Sequence, residues 1–269
     1  MKFEFTKMHG AGNDFIVISD PGRKFPRTSR AIVGICSRNR GVGADGLILL
    51  SKQKKGGAPF RMDFFNSDGS RAGMCGNGLR CAGLFCHERL NAGKDVSIQT
   101  DSGILDAKIA GDGQVRVKIP IKVPFAEILI DGLKMYFGNT GVPHLVIPVK
   151  DIGKTDVLGL GRKYRYHRKF APAGTNVNFI SVPSGGGPVR IRTYERGVEG
   201  ETSACGTGIT ASAATLFSCL GRKAPFEFLT NEGDSLKVDF CKSENILSTP
   251  RTAFLTGPAV EVFSGNIII

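Results

Sequence analysis

Short runs alternate apolar with polar at Val96 to Thr100 and Phe226 to Thr230, are followed by Ile104 to Ile109 and Ser235 to Phe240 as hairpin partners, and are preceded by Phe60 to Asn66 and Val189 to Tyr194, which also read as strands. That spacing predicts short strands with one face buried. The opening Met1-Lys2-Phe3-Glu4-Phe5-Thr6-Lys7-Met8 alternates in the same way. Two longer stretches, Cys75 to Leu90 and Cys205 to Leu220, read as helices. Each stops near a glycine, Gly93 or Gly221, the residue that most easily adopts the left-handed turn after a helix.

These elements recur. Cys75-Gly76-Asn77-Gly78 returns 130 residues later as Cys205-Gly206-Thr207-Gly208, and Thr100-Asp101-Ser102-Gly103 returns at the same interval as Thr230-Asn231-Glu232-Gly233. Each half therefore reads as strand, turn, glycine-rich loop, helix, strand, turn, strand. Two related mixed α/β domains are expected, 1–119 with Cys75 and 120–257 with Cys205. The boundary falls near Pro120 to Pro124, where prolines interrupt the strand pattern. A turn is expected at Gly257-Pro258, after which the C-terminal strand, 258–269, would join the first domain, a placement the sequence by itself does not show. The fold class is thus α/β in the mixed α+β sense, with two pseudo-symmetric domains.

Composition narrows the class. The chain has 269 residues, 41% hydrophobic and 22% charged, which is enough to bury a core without metal or disulfide support. No apolar run approaches the roughly 18 residues that span a bilayer, and the start lacks a signal-peptide core, so a cytoplasmic protein is expected. In a reducing compartment the seven cysteines, an odd number, read as free thiols. Cys75, Cys81 and Cys86 contain no C-x-x-C pair, and His87 does not complete a zinc site. The net charge of +12 raises nucleic acid as a partner, most of all at Arg162 to Lys169, whose interleaved tyrosines suit base stacking. No nucleic-acid motif surrounds that stretch, and it reads instead as a solvated strand or loop face.

The repeated Cys-Gly-x-Gly is the strongest chemical signal. A cysteine where a helix begins meets unpaired backbone N–H groups and the positive end of the helix dipole, which favour thiolate over thiol and also bind a carboxylate. Inverting an amino-acid Cα needs a base on one face and an acid on the other, and two duplicated halves supply such a pair. Each cysteine alone reads as readily as a buried apolar residue; the repetition favours a functional pair.

At this point several ordered segments resemble the diaminopimelate epimerase family: Gly10-Ala11-Gly12-Asn13-Asp14-Phe15, Gly41-Val42-Gly43-Ala44-Asp45-Gly46, Phe65-Asn66-Ser67-Asp68-Gly69-Ser70, Gly174-Thr175-Asn176-Val177-Asn178-Phe179, Tyr194-Glu195-Arg196-Gly197, and both cysteine loops. They cover nearly the whole chain. The resemblance implies two domains, each a mixed sheet wrapped around a central helix, and an isomerase that interconverts LL- and meso-2,6-diaminopimelate in lysine and peptidoglycan precursor synthesis. It implies no cofactor and no metal. By the same resemblance Cys75 and Cys205 are the acid/base pair, with His144 close to them. Gly76, Asn77, Gly206 and Thr207 would offer backbone N–H groups to the reacting carboxylate, Glu195 would hold the α-ammonium, and Arg196 would clamp the distal carboxylate. Asn13, Asn66 and Asn176 would fix the rest of the substrate.

The chain departs from the family at Val142, where many members have asparagine, and at Gly46, where some carry glutamine. A small-molecule substrate is expected as partner, with no nucleic acid and no membrane, in a homodimer. The competing readings are a related two-thiol racemase of glutamate, histidine or proline type, a basic nucleic-acid-binding protein, and a thiol redox protein.

Overall fold

The computed structural model describes residues 1–53, 57–73, 75–241 and 250–269. In chain order the first part forms β1 (Lys2–Gly10), β2 (Asn13–Ser19), α1 (Ser29–Cys36), β3 (Gly46–Lys52), β4 (Phe60–Asn66), β5 (Arg71–Ala72), α2 (Gly76–Arg89), β6 (Asp95–Thr100), β7 (Gly103–Gly111) and β8 (Gln114–Pro120). The second part forms β9 (Val123–Ile130), β10 (Leu133–Asn139), β11 (Pro143–Pro148), α3 (Val157–Arg165), β12 (Asn176–Ser181), β13 (Val189–Glu195), β14 (Gly200–Thr202), α4 (Gly206–Ser218), β15 (Phe226–Leu229), β16 (Ser235–Phe240) and β17 (Thr252–Pro258). The chain closes with β18 (Val260–Ile268). These elements divide into two compact units, Met1–Val117 with Gly257–Ile269, and Lys118–Thr256.

The two units follow one plan. In the first, β1 lies antiparallel to β18 and β2, β2 runs parallel to β3, and β3 pairs antiparallel with β4. Strand β4 then pairs with both β5 and β6, and β6 leads to β7. In the second unit β10 stands between β9 and β11, β11 runs parallel to β12, and β12 pairs antiparallel with β13. There β13 carries both β14 and β15, and β15 leads to β16. The duplication thus extends past the markers visible in the sequence, with β18 standing to β1 as β9 stands to β10.

Each sheet encloses a helix. Every residue of α2 from Gly76 to Cys86 is buried, and the helix packs on β1, β2, β3, β6 and β7. Helix α4 is buried from Gly208 to Leu216 and packs on β9, β10, β11, β12 and β16. Small residues make such enclosure possible: a Cβ on Gly83 would stand 2.6 Å from the Cβ of Ala107. The buried hydroxyls of Thr210, Ser212 and Thr215 bond to carbonyls one turn earlier, at 2.9 to 3.0 Å, so no polar group is stranded by them. The opposite sheet faces are covered by the shorter helices. Ile32 and Ile35 of α1 join Ile16, Ile18, Leu47 and Leu49, while Val157 and Tyr164 of α3 join Leu145, Ile147, Val177 and Phe179.

Several expectations are corrected here. Gly257 and Pro258 do not form a turn; both lie in β17, and the single residue Ala259 separates it from β18, its N–H bonded to Gly113 O at 2.8 Å. Gly93 does not end α2. Asn91 takes the left-handed conformation instead, at φ 57°, while Gly221 does so after α4 at φ 62°. The two ends otherwise match, since Ala92 N–H returns to Cys86 O and Arg222 N–H to Leu216 O. The basic stretch is not a strand or loop face: α3 runs through Arg165, and Arg168–Phe170 form a 3-10 turn.

Candidate active site

In each unit a short hairpin delivers the chain to the enclosed helix at a cysteine. Cys75 is the N-cap of α2, with extended backbone at φ −137° and ψ 122°, and its carbonyl takes the first helical bond from Leu79 N–H at 2.8 Å. Cys205 stands in the same position on α4, at φ −110° and ψ 102°, bonded to Ile209 N–H at 2.9 Å. The sulfur therefore occupies the place where serine or aspartate usually caps a helix, and Cys75 Sγ accepts from Gly78 N–H at 3.5 Å. Cys205 makes no such side-chain cap bond, so the two sulfurs share the N-cap position and the positive end of a helix dipole but not the N–H contact.

In the first unit, Asn13 opens β2, Gly46 opens β3 and Asn66 closes β4, with Gly46 in register with both Phe15 and Asn66. The carboxamide of Asn13 donates to Asp45 Oδ2 at 2.8 Å. Its oxygen accepts from Asn77 Nδ2 at 3.3 Å and lies 3.7 Å from Cys75 Sγ. Asn13, Asn77 and Cys75 are thus brought together. Asn66 sits two strands over from Asn13, across β3, and donates to Ser70 Oγ at 2.9 Å, holding the turn that leads to β5. Gly46 has no room for a side chain, since a Cβ there would meet Phe64 Cε2 at 2.7 Å and Phe65 O at 2.8 Å. Phe64 fills the space that a larger residue would need.

In the second unit, His144 on β11 is in register with Asn176 on β12, and Glu195 closes β13 beside them. Asn176 is 3% exposed and its carboxamide is engaged at both ends, donating to Pro143 O at 3.0 Å and accepting from Arg196 N–H at 2.9 Å. It thereby fixes the backbone from which the Arg196 side chain departs; that guanidinium bonds Ala173 O at 3.4 Å. Glu195 Oε2 accepts from Thr202 Oγ1 at 2.9 Å. Thr207 places its hydroxyl 3.4 Å from Cys205 Sγ and is tied down through its carbonyl by Thr140 Oγ1 at 3.1 Å. His144 is fully buried, and burial first, then the positive charge of Arg196, pushes its pKa down to about 3.

Four other thiols are shifted by burial. Burial pushes Cys36, Cys81 and Cys86 up to about 12, and also raises Cys219, which keeps all four protonated at neutral pH. Within the basic stretch Lys163 pairs with Asp131 at 2.6 Å and Arg165 with Glu199 at 2.9 Å, while Lys169 donates to Leu129 O at 2.6 Å.

Three polar residues beside the site were not singled out by sequence reasoning. Asp45 orients Asn13, and Asn178 and Thr193 form a buried chain with His144. Asp45 and Asn178 lie within segments that resemble the family and Thr193 within an expected strand, but no local pattern marked any of the three individually.

A family model described as "Diaminopimelate epimerase" matches residues 5–120 and 136–262. A diaminopimelate epimerase of Aquifex aeolicus is 42% identical over 98% of this chain and 97% of its own length. One of Archaeoglobus fulgidus is 39% identical over 98% and 96%. Among solved structures, a phenazine biosynthesis protein of the PhzF family from Bacillus anthracis superposes with a TM-score of 0.77 at 16% identity, covering 100% of both chains. A probable proline racemase from Agrobacterium radiobacter gives 0.73 at 16% identity, over 99% of this chain and 93% of that one. These two likenesses establish the shared fold.

Proposed function

The chain belongs to the diaminopimelate epimerase family, and on that premise we propose that it interconverts LL- and meso-2,6-diaminopimelate by passing protons between the substrate Cα and the thiols of Cys75 and Cys205. The observation that carries this reading is the repetition of one construction, a cysteine at the N-cap position of an enclosed helix, in two units of the same topology.

One sulfur, as thiolate, takes the Cα proton and becomes a thiol. The electron pair left on carbon spreads into the α-carboxylate, whose oxygens are held by first-turn N–H groups of Gly76, Asn77, Gly206 and Thr207. The other sulfur, initially a thiol, gives its proton to the opposite face of the carbon and is left as thiolate. One proton is removed and one is added, so the substrate is isomerised and the two sulfurs have exchanged states. The reverse reaction starts from that exchanged state.

Glu195 receives the α-ammonium, Arg196 the distal carboxylate, and the carboxamides of Asn13, Asn66 and Asn176 surround the distal end. Because a side chain at Gly46 has no space and Val142 is apolar, distal recognition in this chain rests on fewer polar groups, with Phe64 as part of the wall. The reaction needs reduced sulfur, in keeping with a cytoplasmic setting. The exposed Val262 and Phe263 of β18 support a homodimer formed through that strand, which sedimentation of wild type against a Val262→Lys/Phe263→Lys variant would test.

The deciding experiment is incubation of the reduced protein with LL-diaminopimelate in deuterium oxide, without added cofactor. Deuterium is expected at one Cα, in step with formation of the meso isomer. Failure of any exchange would overturn the assignment.

A further inference from the structure

The enclosed helices of the two units rest on different floors. In the first unit the α2 start is underlain by Phe15 and Ile48: a Cβ on Gly78 would stand 3.2 Å from Ile48 Cδ1 and 3.6 Å from Phe15 Cε1. In the second unit the matching glycine of α4, Gly208, faces a carboxamide, and a Cβ there would stand 2.1 Å from Asn178 Oδ1. The strand registers make the correspondence residue by residue. Phe15 pairs with Gly46 as His144 pairs with Asn176, and Ile48 and Asn178 each lie two residues farther along β3 and β12. The fold itself is therefore satisfied by two apolar side chains at these places, and the second unit has spent them on a buried polar pair.

The hydrogen bonds fix the orientation of that pair. Asn178 Nδ2 lies 3.1 Å from Leu145 O, which can only accept, so the amide nitrogen and not the oxygen is on that side. Asn178 Oδ1 accepts from Thr193 Oγ1 at 3.1 Å, in agreement. The same Nδ2 is 3.1 Å from His144 Nδ1 and must donate to it, so Nδ1 carries a lone pair and the ring proton is on Nε2. His144 Nε2 is buried and has no hydrogen-bond partner among the described residues. A buried donor without an acceptor is uncommon in native proteins, and it persists where an incoming group supplies the acceptor.

We infer that Asn178, braced by Thr193, is a positioning residue that holds His144 as the neutral Nε2–H tautomer, so that His144 donates a hydrogen bond to the bound substrate and itself neither takes nor gives a proton. The substrate half of this inference rests on the epimerase reading; the tautomer half does not. Burial and the nearby charge of Arg196, which disfavour imidazolium, act in the same direction.

Nitrogen NMR of histidine-labelled protein, with His144 assigned through a His144→Phe variant, tests the tautomer independently of turnover. A pyridine-like Nδ1 and a pyrrole-like Nε2, unchanged between about pH 5 and 8, are expected. A protonated Nδ1 in that range overturns the inference. In Asn178→Asp the carboxylate draws the ring proton to Nδ1, so the signature reverses or becomes that of imidazolium, with kcat lowered about tenfold or more and KM less affected. The double variant His144→Phe/Asn178→Ile copies the floor of the first unit. It is expected to fold with an undiminished melting temperature while kcat falls at least about tenfold. Full activity in that folded variant would overturn the role. Adding diaminopimelate to Cys75→Ala protein, in which turnover is blocked, should move the His144 Nε2–H resonance downfield; an unmoved resonance under saturating substrate would sink the donor role.

Discussion

Asp45 sets which end of the Asn13 carboxamide faces Cys75. Its carboxylate can only accept, so the 2.8 Å contact with Asn13 is made by Nδ2, and Asn13 Oδ1 is turned toward Asn77 and the Cys75 sulfur. Arg38 holds Asp45 at 2.8 Å and grips Asp14 with two bonds of 3.0 Å. Burial of Asp14 works against its ionisation, yet the bonds from Arg38 and Lys7 outweigh it and hold that carboxyl down at about 2. The anchor therefore stays charged at any pH where the enzyme would work.

Replacing this acceptor removes the constraint. Asp45→Asn can present either end of its own amide to Asn13, so the orientation beside Cys75 is lost. A fall in kcat/KM of about tenfold is expected, with stability changed by less than about 1 kcal/mol because the Asp45 side chain is 46% exposed. Steady-state kinetics and thermal unfolding of the variant measure the two effects separately, and unchanged kinetics would show that Asp45 is only a surface contact.

Each sulfur of the proposed pair is needed in both reaction directions, since one removes and the other replaces the proton. Cys75→Ala and Cys205→Ala are each expected to lower the rate of inversion by at least about 10²- to 10⁴-fold, while circular dichroism and the melting transition show a folded chain. Substantial inversion by either single variant would exclude a two-thiol scheme.

The unequal floors under the two helices give a stability test. Gly208→Ala forces Asn178 out of the way and should destabilise the chain by about 1–3 kcal/mol. Gly78→Ala meets only the flexible tip of Ile48, at 3.2 Å, and gains helix propensity, so its effect should stay within about 1 kcal/mol. Urea unfolding of the pair would expose an error in this account if the two substitutions proved equally costly.

His144 also makes stability depend on pH. Its folded pKa, about 3, lies below the unfolded value of 6.5, so the unfolded chain binds the extra proton. The contribution is fully present above about pH 6.5 and is lost as pH falls toward about 3. Each tenfold change in proton affinity is worth about 1.4 kcal/mol, so the total is a few kcal/mol at most. Comparing wild type with His144→Phe between about pH 7 and 5, above the range where the carboxylates titrate, should show a flatter profile in the variant. Parallel profiles would mean that the ring is solvated or protonated in the folded state.

Strands β6, β15 and β16 were legible because each buries one face, which forces the side chains to alternate. Strands β3 and β12 were not marked as strands, since they run parallel to a neighbour and are buried along almost their whole length. Burial on both faces removes the alternation that a reader of sequence relies on. The proline at position 258 and the basic run after Arg162 misled for a related reason: local composition suggested a turn and a strand or loop, while packing placed them in a strand end and a helix whose basic side chains are still mostly exposed.

The sequence by itself determined the duplication, the helix beginning after each cysteine, the mixed α and β character and the family, because each is written in residues close together or in repeated order. Tertiary structure alone decided that β18 pairs with β1, that Phe64 closes the space over Gly46, and that Asp45 and Asn178 orient Asn13 and His144. Those relations join residues tens to hundreds of positions apart, and a hydrogen bond or a collision between them depends on side-chain direction and distance, which no local spacing encodes.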